Sequence, residues 1–281
     1  MKVLVLGAGG QVGRALAAAL PDAVALTRAQ LDLTDPGGAD RAGVDWAAFD
    51  AVVNAAAYTD VDGAETAGRV AAWRTNATGP ARLAELARTH GFTLVHFSTE
   101  YVFDGTWPGP VPEDAPPAPL GAYGASKAAG DLAVACTPAH YLVRPTWVVG
   151  DGRNFVRTML GLAARGIEPT VVADQIGRPT FAADLADAVV HLLRTGAPHG
   201  TYHLTGGGEP ASWAEVARAT YGLAGHADLR VTDTTTEAYF ADKPHAARRP
   251  LNSVLDLTRI EHVGVRPPDW RDRLAEYVRR G

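Results

Sequence analysis

Tyr123 and Lys127 sit four residues apart in the run Tyr123-Gly124-Ala125-Ser126-Lys127. On a helix these positions share a face, so phenol and ammonium converge. A free phenol titrates near about 10. A neighbouring ammonium favours the phenolate and lowers that value, which makes the phenol a usable proton donor near neutral pH. A second group lies earlier, where Ser98 and Thr99 close an apolar run at residues 93–98. A hydroxyl there can polarise a carbonyl oxygen as charge builds on it. The third requirement for ketone reduction is a hydride donor. Gly7, Gly10 and Gly13 follow an apolar run and precede a helical one, the setting of a turn that admits a dinucleotide pyrophosphate.

The elements that must position these groups are legible as alternating runs. Strands are expected at residues 3–6, 23–26, 51–56, 93–98 and 141–144, each apolar enough for burial on both faces of a parallel sheet. Helices are expected at residues 11–20, 70–90 and 123–136. The alternation predicts an α/β fold, a doubly wound parallel Rossmann-type sheet. After Gly150 the rhythm changes: helices at 154–165, 182–194 and 213–221, a strand at 201–204 and a last helix from Asp269 predict a smaller, mixed α/β C-terminal substrate lobe. The expected division is 1–150 for the dinucleotide domain, with 182–204 returning to it, and 151–181 with 205–281 for the lobe. The proline-rich stretch 108–119 reads as a surface loop.

The second strand ends in Thr27-Arg28. An acid there would hold the 2′-hydroxyl of NAD; an arginine suits the 2′-phosphate of NADP. NADPH is the expected cofactor and NADH the alternative, because Asp32, four residues on, can hold adenine or ribose.

Composition excludes several classes. The 281 residues carry a formal charge of −5 and are 47% apolar, which suits a globular core and not a nucleic-acid binder. The single cysteine, Cys136, excludes a disulfide framework and is expected as a small buried apolar residue. No apolar run approaches the length of a membrane span, and the opening run is too short for a signal-peptide core. A soluble, cytoplasmic protein is expected. The nine histidines show no ligand cluster, and no metal is expected.

These motifs resemble the extended short-chain dehydrogenase/reductases and, more narrowly, the dTDP-4-dehydrorhamnose reductase family. The landmarks span nearly the whole chain: Gly7 to Gly13 with Gln11 and Val12, residues 53–62, 98–105, 119–127, 144–148, 154–159, 174–180, 247–253 and 268–270. The resemblance implies reduction of the 4-keto group of a dTDP-6-deoxy-4-keto-hexose. Thr99, Tyr123 and Lys127 are then the catalytic set. Gly7, Gly10, Gln11, Val12, Gly13, Arg28, Asp32, Leu33, Ala57, Tyr58 and Thr59 join Tyr123 and Lys127 around the cofactor. Val61, Glu100, Tyr101 and Trp147 line the sugar nucleotide, and Asn154, Gln175 and Arg249 lie near the nucleotide or its diphosphate. A guanidinium suits a diphosphate, and Trp147 can stack on a ring.

Two departures matter. The family usually has Asp where this chain has Glu100, one methylene longer. Some relatives carry a Glu after the glycine turn that helps bridge a dimer through Mg²⁺; Ala15 stands here, so a monomer or homodimer is expected without that metal. The resemblance also admits a sister reductase acting on another dTDP-keto-sugar in antibiotic biosynthesis, such as a dihydrostreptose-type synthase. A catalytically silent NADP-binding regulatory subunit is the third reading, against which the retained Thr99, Tyr123 and Lys127 stand.

Overall fold

A computed structural model describes residues 1–35, 37–38 and 42–280. Its centre is a six-stranded sheet built from β1 (Val3–Leu6), β2 (Val24–Leu26), β3 (Ala51–Asn54), β4 (Thr93–Phe97), β5 (His140–Arg144) and β10 (Gly200–His203). The order is β10-β5-β4-β3-β1-β2, and every pairing is parallel. Alternation along the strands explains their unbroken apolar character. Val3, Val5, Ala51, Val53 and Val95 face one core, while Leu4, Leu6, Val52 and Leu94 face the other. Period-two geometry sends successive side chains to opposite faces, so a strand covered twice must be apolar throughout. β2 lies at the edge, and Val24 is correspondingly exposed.

Helices cover both faces. α1 (Gln11–Ala19) supplies Leu16 to the first core. The next helical stretch is α2 (Arg69–Trp73), a π-helical turn at Arg74–Thr78, and α3 (Gly79–His90), whose Leu83, Ala84, Leu86 and Ala87 fill the second core. α4 (Ala122–Ala135) follows and packs against the π turn and α3. Cys136, just past its end, is exposed, which corrects the expectation of burial. The stretch 108–119 is also more than a surface loop: Val111 and Ala115 are buried with Val102, Phe103, Ala128 and Leu255.

Beyond β5 the chain leaves the sheet through β6 (Val148–Val149), α5 (Phe155–Ala163), β7 (Thr170–Val172), β8 (Ile176–Gly177) and β9 (Thr180–Phe181). It returns as α6 (Ala182–Thr195), which packs on α1, and as β10, which pairs with β5. β11 (Ala211–Ser212), α7 (Trp213–Leu223), β12 (Thr232–Thr234), α8 (Thr236–Phe240), α9 (Thr258–His262) and α10 (Trp270–Arg280) complete the chain. The lobe is stitched by three two-stranded pairings, β11 with β8, β12 with β7 and β6 with β9. Its start signals are clear at α7, where Ser212 and Glu215 form a reciprocal capping box. Among the described residues, no helix is long and apolar enough to cross a membrane.

Candidate active site

The strand order reverses between β1 and β3, and the crevice at their carboxyl ends is where open α/β sheets bind ligands. Gly7, just past β1, has φ 77°, and a Cβ there would lie 2.6 Å from the Ala56 nitrogen beyond β3. At Gly13 a Cβ would meet the Gly7 carbonyl oxygen at 2.1 Å. The turn therefore packs backbone on backbone, which only glycine permits. Gly10 caps α1 without a side-chain hydrogen bond, and the first turn carries no acid. The free N–H groups and the positive end of the helix face the crevice with nothing to neutralise them.

A cleft of about 550 Å³ runs from this turn to the lobe. Gly10, Gln11, Val12, Ala57, Thr59, Val61, Thr99, Glu100, Tyr101, Tyr123, Lys127 and Trp147 all line it. A larger cavity of about 700 Å³ lies beyond α1 among Ala15, Asp184, Arg273 and Tyr277. It contains none of the residues at the ends of β3 and β4, so the smaller cleft is the candidate site. Among the described residues no group of three or more His, Cys, Asp or Glu is placed to hold a metal ion.

Thr99 follows β4 in extended backbone and caps a 3₁₀ turn, its hydroxyl accepting the Tyr101 N–H. The same hydroxyl donates to Glu100 Oε2 at 2.7 Å, and Thr99 and Tyr123 both line the cleft. Ser98 is not its equal, because its hydroxyl is spent on Asp131 at 2.7 Å. Tyr123 stands in the first turn of α4, edge-on to Tyr101 with ring centroids 5.4 Å apart. Lys127 donates to the Phe97 carbonyl at 2.6 Å.

Burial dominates the electrostatics. It raises Tyr123 above the usual phenol range, with Glu100 adding to the effect. It lowers Lys127 to about 8 and raises Glu100 from 4.5 to about 7. A carboxyl whose folded pKa is raised contributes stability that is present below about 4.5 and lost as pH rises through about 7. Glu100→Gln is neutral at every pH. Its melting temperature relative to wild type is therefore expected to rise between about pH 5 and about pH 8. An equal difference at both pH values contradicts a neutral buried carboxyl.

Several residues that sequence reasoning missed hold these groups in place. Asn76, in the π turn, accepts the Tyr58 N–H at 2.9 Å and donates to the Tyr58 carbonyl and to Ser126 Oγ. It thereby fixes the 57–59 loop to α4. Glu65 accepts the Ala122 N–H at 2.6 Å and caps α4 just before Tyr123. Gly124 lets α4 approach, since a Cβ there would lie 2.2 Å from the Tyr101 carbonyl oxygen. No local sequence signal marks them, because Glu65 and Asn76 act on groups far along the chain.

Other predicted residues do different work. Asn154 caps α5, and its amide nitrogen lies among the oxygens of Gln11, Gly150, Gly152 and Tyr277, so both its hydrogens are engaged. Gln175 is buried in the lobe between Trp213 and Thr236. Trp147 stacks on Trp213 at 3.8 Å, at φ 43°. Arg249 donates from one guanidinium nitrogen to both Asp62 oxygens at 2.9 Å and lies over Phe240, tying the lobe to the loop after β3. Tyr58 turns its hydroxyl toward Gly63 and Gly68 and away from the cleft. Leu33 is a core residue. Arg28 is largely exposed and pairs with Asp32 at 3.2 Å.

A doubly wound sheet with a glycine turn, a hydroxyl after β4 and a Tyr–Lys pair on α4 defines a dinucleotide-dependent oxidoreductase of the short-chain type. The chain belongs to the RmlD substrate binding domain family, whose model matches residues 1–281. It is 44% identical to a dTDP-4-dehydrorhamnose reductase of Burkholderia thailandensis, over 99% of this chain and 98% of that one. It is 42% identical to a probable dTDP-4,6-dihydroxy-2-methyloxan-3-one 4-ketoreductase of Streptomyces antibioticus, over 98% and 94%. The crystal structure of dTDP-4-dehydrorhamnose reductase from Bacillus anthracis, in complex with NADP, superposes with a TM-score of 0.89. That structure is 33% identical over 100% of this chain and 99% of that chain.

Proposed function

We propose that this protein reduces the 4-keto group of a dTDP-6-deoxy-4-keto-hexose with NADPH, converting dTDP-4-dehydro-L-rhamnose to dTDP-L-rhamnose in the cytoplasm. The observation that carries this reading is the meeting of Thr99, Tyr123 and Lys127 with the glycine turn in one cleft. When bound, NADPH supplies the hydride. The N-terminus of α1 and the Gly7–Gly13 cradle would hold its pyrophosphate, and Arg28 with Asp32 would serve its adenosine end. Lys127 would orient the ribose next to the nicotinamide. Thr99 donates to the ketone oxygen, and Tyr123 delivers the proton as the oxygen gains charge. Val61, Glu100, Tyr101 and Trp147 border the sugar, and its nucleotide extends toward the lobe.

A sister reductase is the second reading, because Glu100 lengthens a contact to the sugar and the Streptomyces antibioticus relative is a probable 4-ketoreductase. The two are separated by kcat/KM over a panel of dTDP-4-keto-6-deoxy sugars, each with NADPH and with NADH. The reading expects dTDP-4-dehydro-L-rhamnose and NADPH to lead. A higher value for another sugar favours the sister reductase, and no turnover of any sugar rejects both.

A further inference from the structure

The hydrogen that Thr99 must give to a ketone is already in use. The hydroxyl accepts the Tyr101 N–H at 3.2 Å and donates to Glu100 Oε2 at 2.7 Å. Thr99 and Glu100 are both buried, and both line the cleft.

Hydrogen counting defines the conflict. A threonine hydroxyl has one hydrogen and two lone pairs. One lone pair takes the Tyr101 N–H, so one hydrogen and one lone pair are left for all other partners. A ketone oxygen is an acceptor only, and so is an ionised carboxylate. Both cannot have the hydrogen. With Glu100 ionised, a ketone gains it only by stripping a buried charge of its donor, which costs more than losing a neutral partner. With Glu100 protonated, the conflict disappears. The carboxyl O–H donates into the second lone pair of Thr99, and the Thr99 hydrogen turns to the ketone. The two oxygens need not move, because 2.7 Å suits a hydrogen bond in either direction.

We propose that Glu100 is a positioning residue whose acid form donates to Thr99 and so turns the Thr99 hydroxyl toward the ketone. The inference deepens the reading of Thr99 as the polariser of the ketone and rests on it. The surroundings favour the acid form. Tyr101 lies on the same turn, with Arg249 and Asp62 beside it. Tyr123 and Lys127 of α4 line the same cleft, and Asp131 of α4 is held by Ser98 and Arg144. Among the described residues no cation is paired with Glu100: Arg249 is engaged by Asp62 and Lys127 by the Phe97 carbonyl. Burial is therefore unopposed by a counter-charge and holds the carboxyl at about 7. Wherever the free carboxyl is ionised, a ketone that binds draws one proton from water to Glu100. The alcohol product carries its own hydrogen and is free of that requirement.

The direct test counts protons. The protein is saturated with NADP⁺, which has no hydride to give, and titrated with dTDP-4-dehydro-L-rhamnose by calorimetry in buffers of different ionisation enthalpy. With a midpoint at about 7, wild type is expected to take up about 0.9 proton at pH 8 and about 0.1 at pH 6. Glu100→Gln has no proton to gain, and its amide donates to Thr99 at every pH, so that uptake is expected to vanish. In kinetics the ratio of wild-type to Glu100→Gln kcat/KM is expected to fall about eightfold from pH 6.5 to pH 8. Lys127 titrates in both proteins and cancels in the ratio. No uptake by wild type at pH 8, uptake that persists in Glu100→Gln, or a constant ratio overturns the proposal. If Glu100→Gln does not fold, the wild-type uptake decides. A kcat/KM within tenfold of wild type in Thr99→Ala rejects the reading of Thr99 itself, a failure distinct from the others.

Discussion

Tyr123→Phe is expected to lower kcat for ketone reduction about a thousandfold while leaving NADPH affinity within about twofold of wild type. The size follows from what the phenol does. A positioned general acid contributes roughly 10²–10⁴ in rate. Thr99 donates to Glu100 and is a far weaker acid. Lys127 is turned toward the Phe97 carbonyl and His96. The variant also isolates the hydroxyl, because the Tyr123 ring packs edge-on to Tyr101 and phenylalanine keeps that contact. Steady-state kinetics with fluorescence titration of NADPH reads both quantities. A kcat within tenfold of wild type would remove Tyr123 from the mechanism.

The second large effect is expected at Gly13. A Cβ there lies 2.1 Å from the Gly7 carbonyl oxygen and 2.8 Å from the Ala8 Cα. Neither is a flexible side-chain end, so the turn or α1 must move. Overpacking of this kind costs about 3 kcal/mol, which lowers the melting temperature of a chain this size by about 5 °C. The same displacement carries the α1 N–H groups away from the pyrophosphate, and the Kd for NADPH is expected to rise at least about tenfold. Gly9→Ala is the control, since nothing lies within 4 Å of a Cβ there. Calorimetry and NADPH titration of both variants check the pair. Equal behaviour at Gly9 and Gly13 contradicts the cradle.

The contrast between legible and illegible residues has a physical cause. The runs at β1, β3 and β4 could be read because both faces of each strand are covered, which keeps most of their positions apolar. The glycine turn could be read because its constraint is local to residues 7–13. Glu65 and Asn76 could not, because each acts on a group far away in the chain. Glu65 caps a helix that begins at Ala122, and Asn76 bridges Tyr58 and Ser126. Trp147 shows the converse. Its type suggested a ring to stack on, and the fold supplies one from the protein itself, Trp213. Asn154 and Gln175 carried a resemblance, but their amides are consumed by the cap of α5 and by the Trp213–Thr236 contact. The exposed Cys136 follows from its place one residue past α4, where the apolar face of the helix has ended.

The central claim is that this cleft sends a hydride from NADPH to C4 of a dTDP-sugar while Tyr123 supplies the proton. It is tested most directly with NADPD deuterated at the transferring carbon and dTDP-4-dehydro-L-rhamnose, followed by NMR of the isolated product. The account predicts dTDP-L-rhamnose carrying deuterium at C4 from the wild-type protein, and almost none in the same time from Tyr123→Phe. Unchanged ketone with the wild-type protein, or product without deuterium at C4, would contradict it.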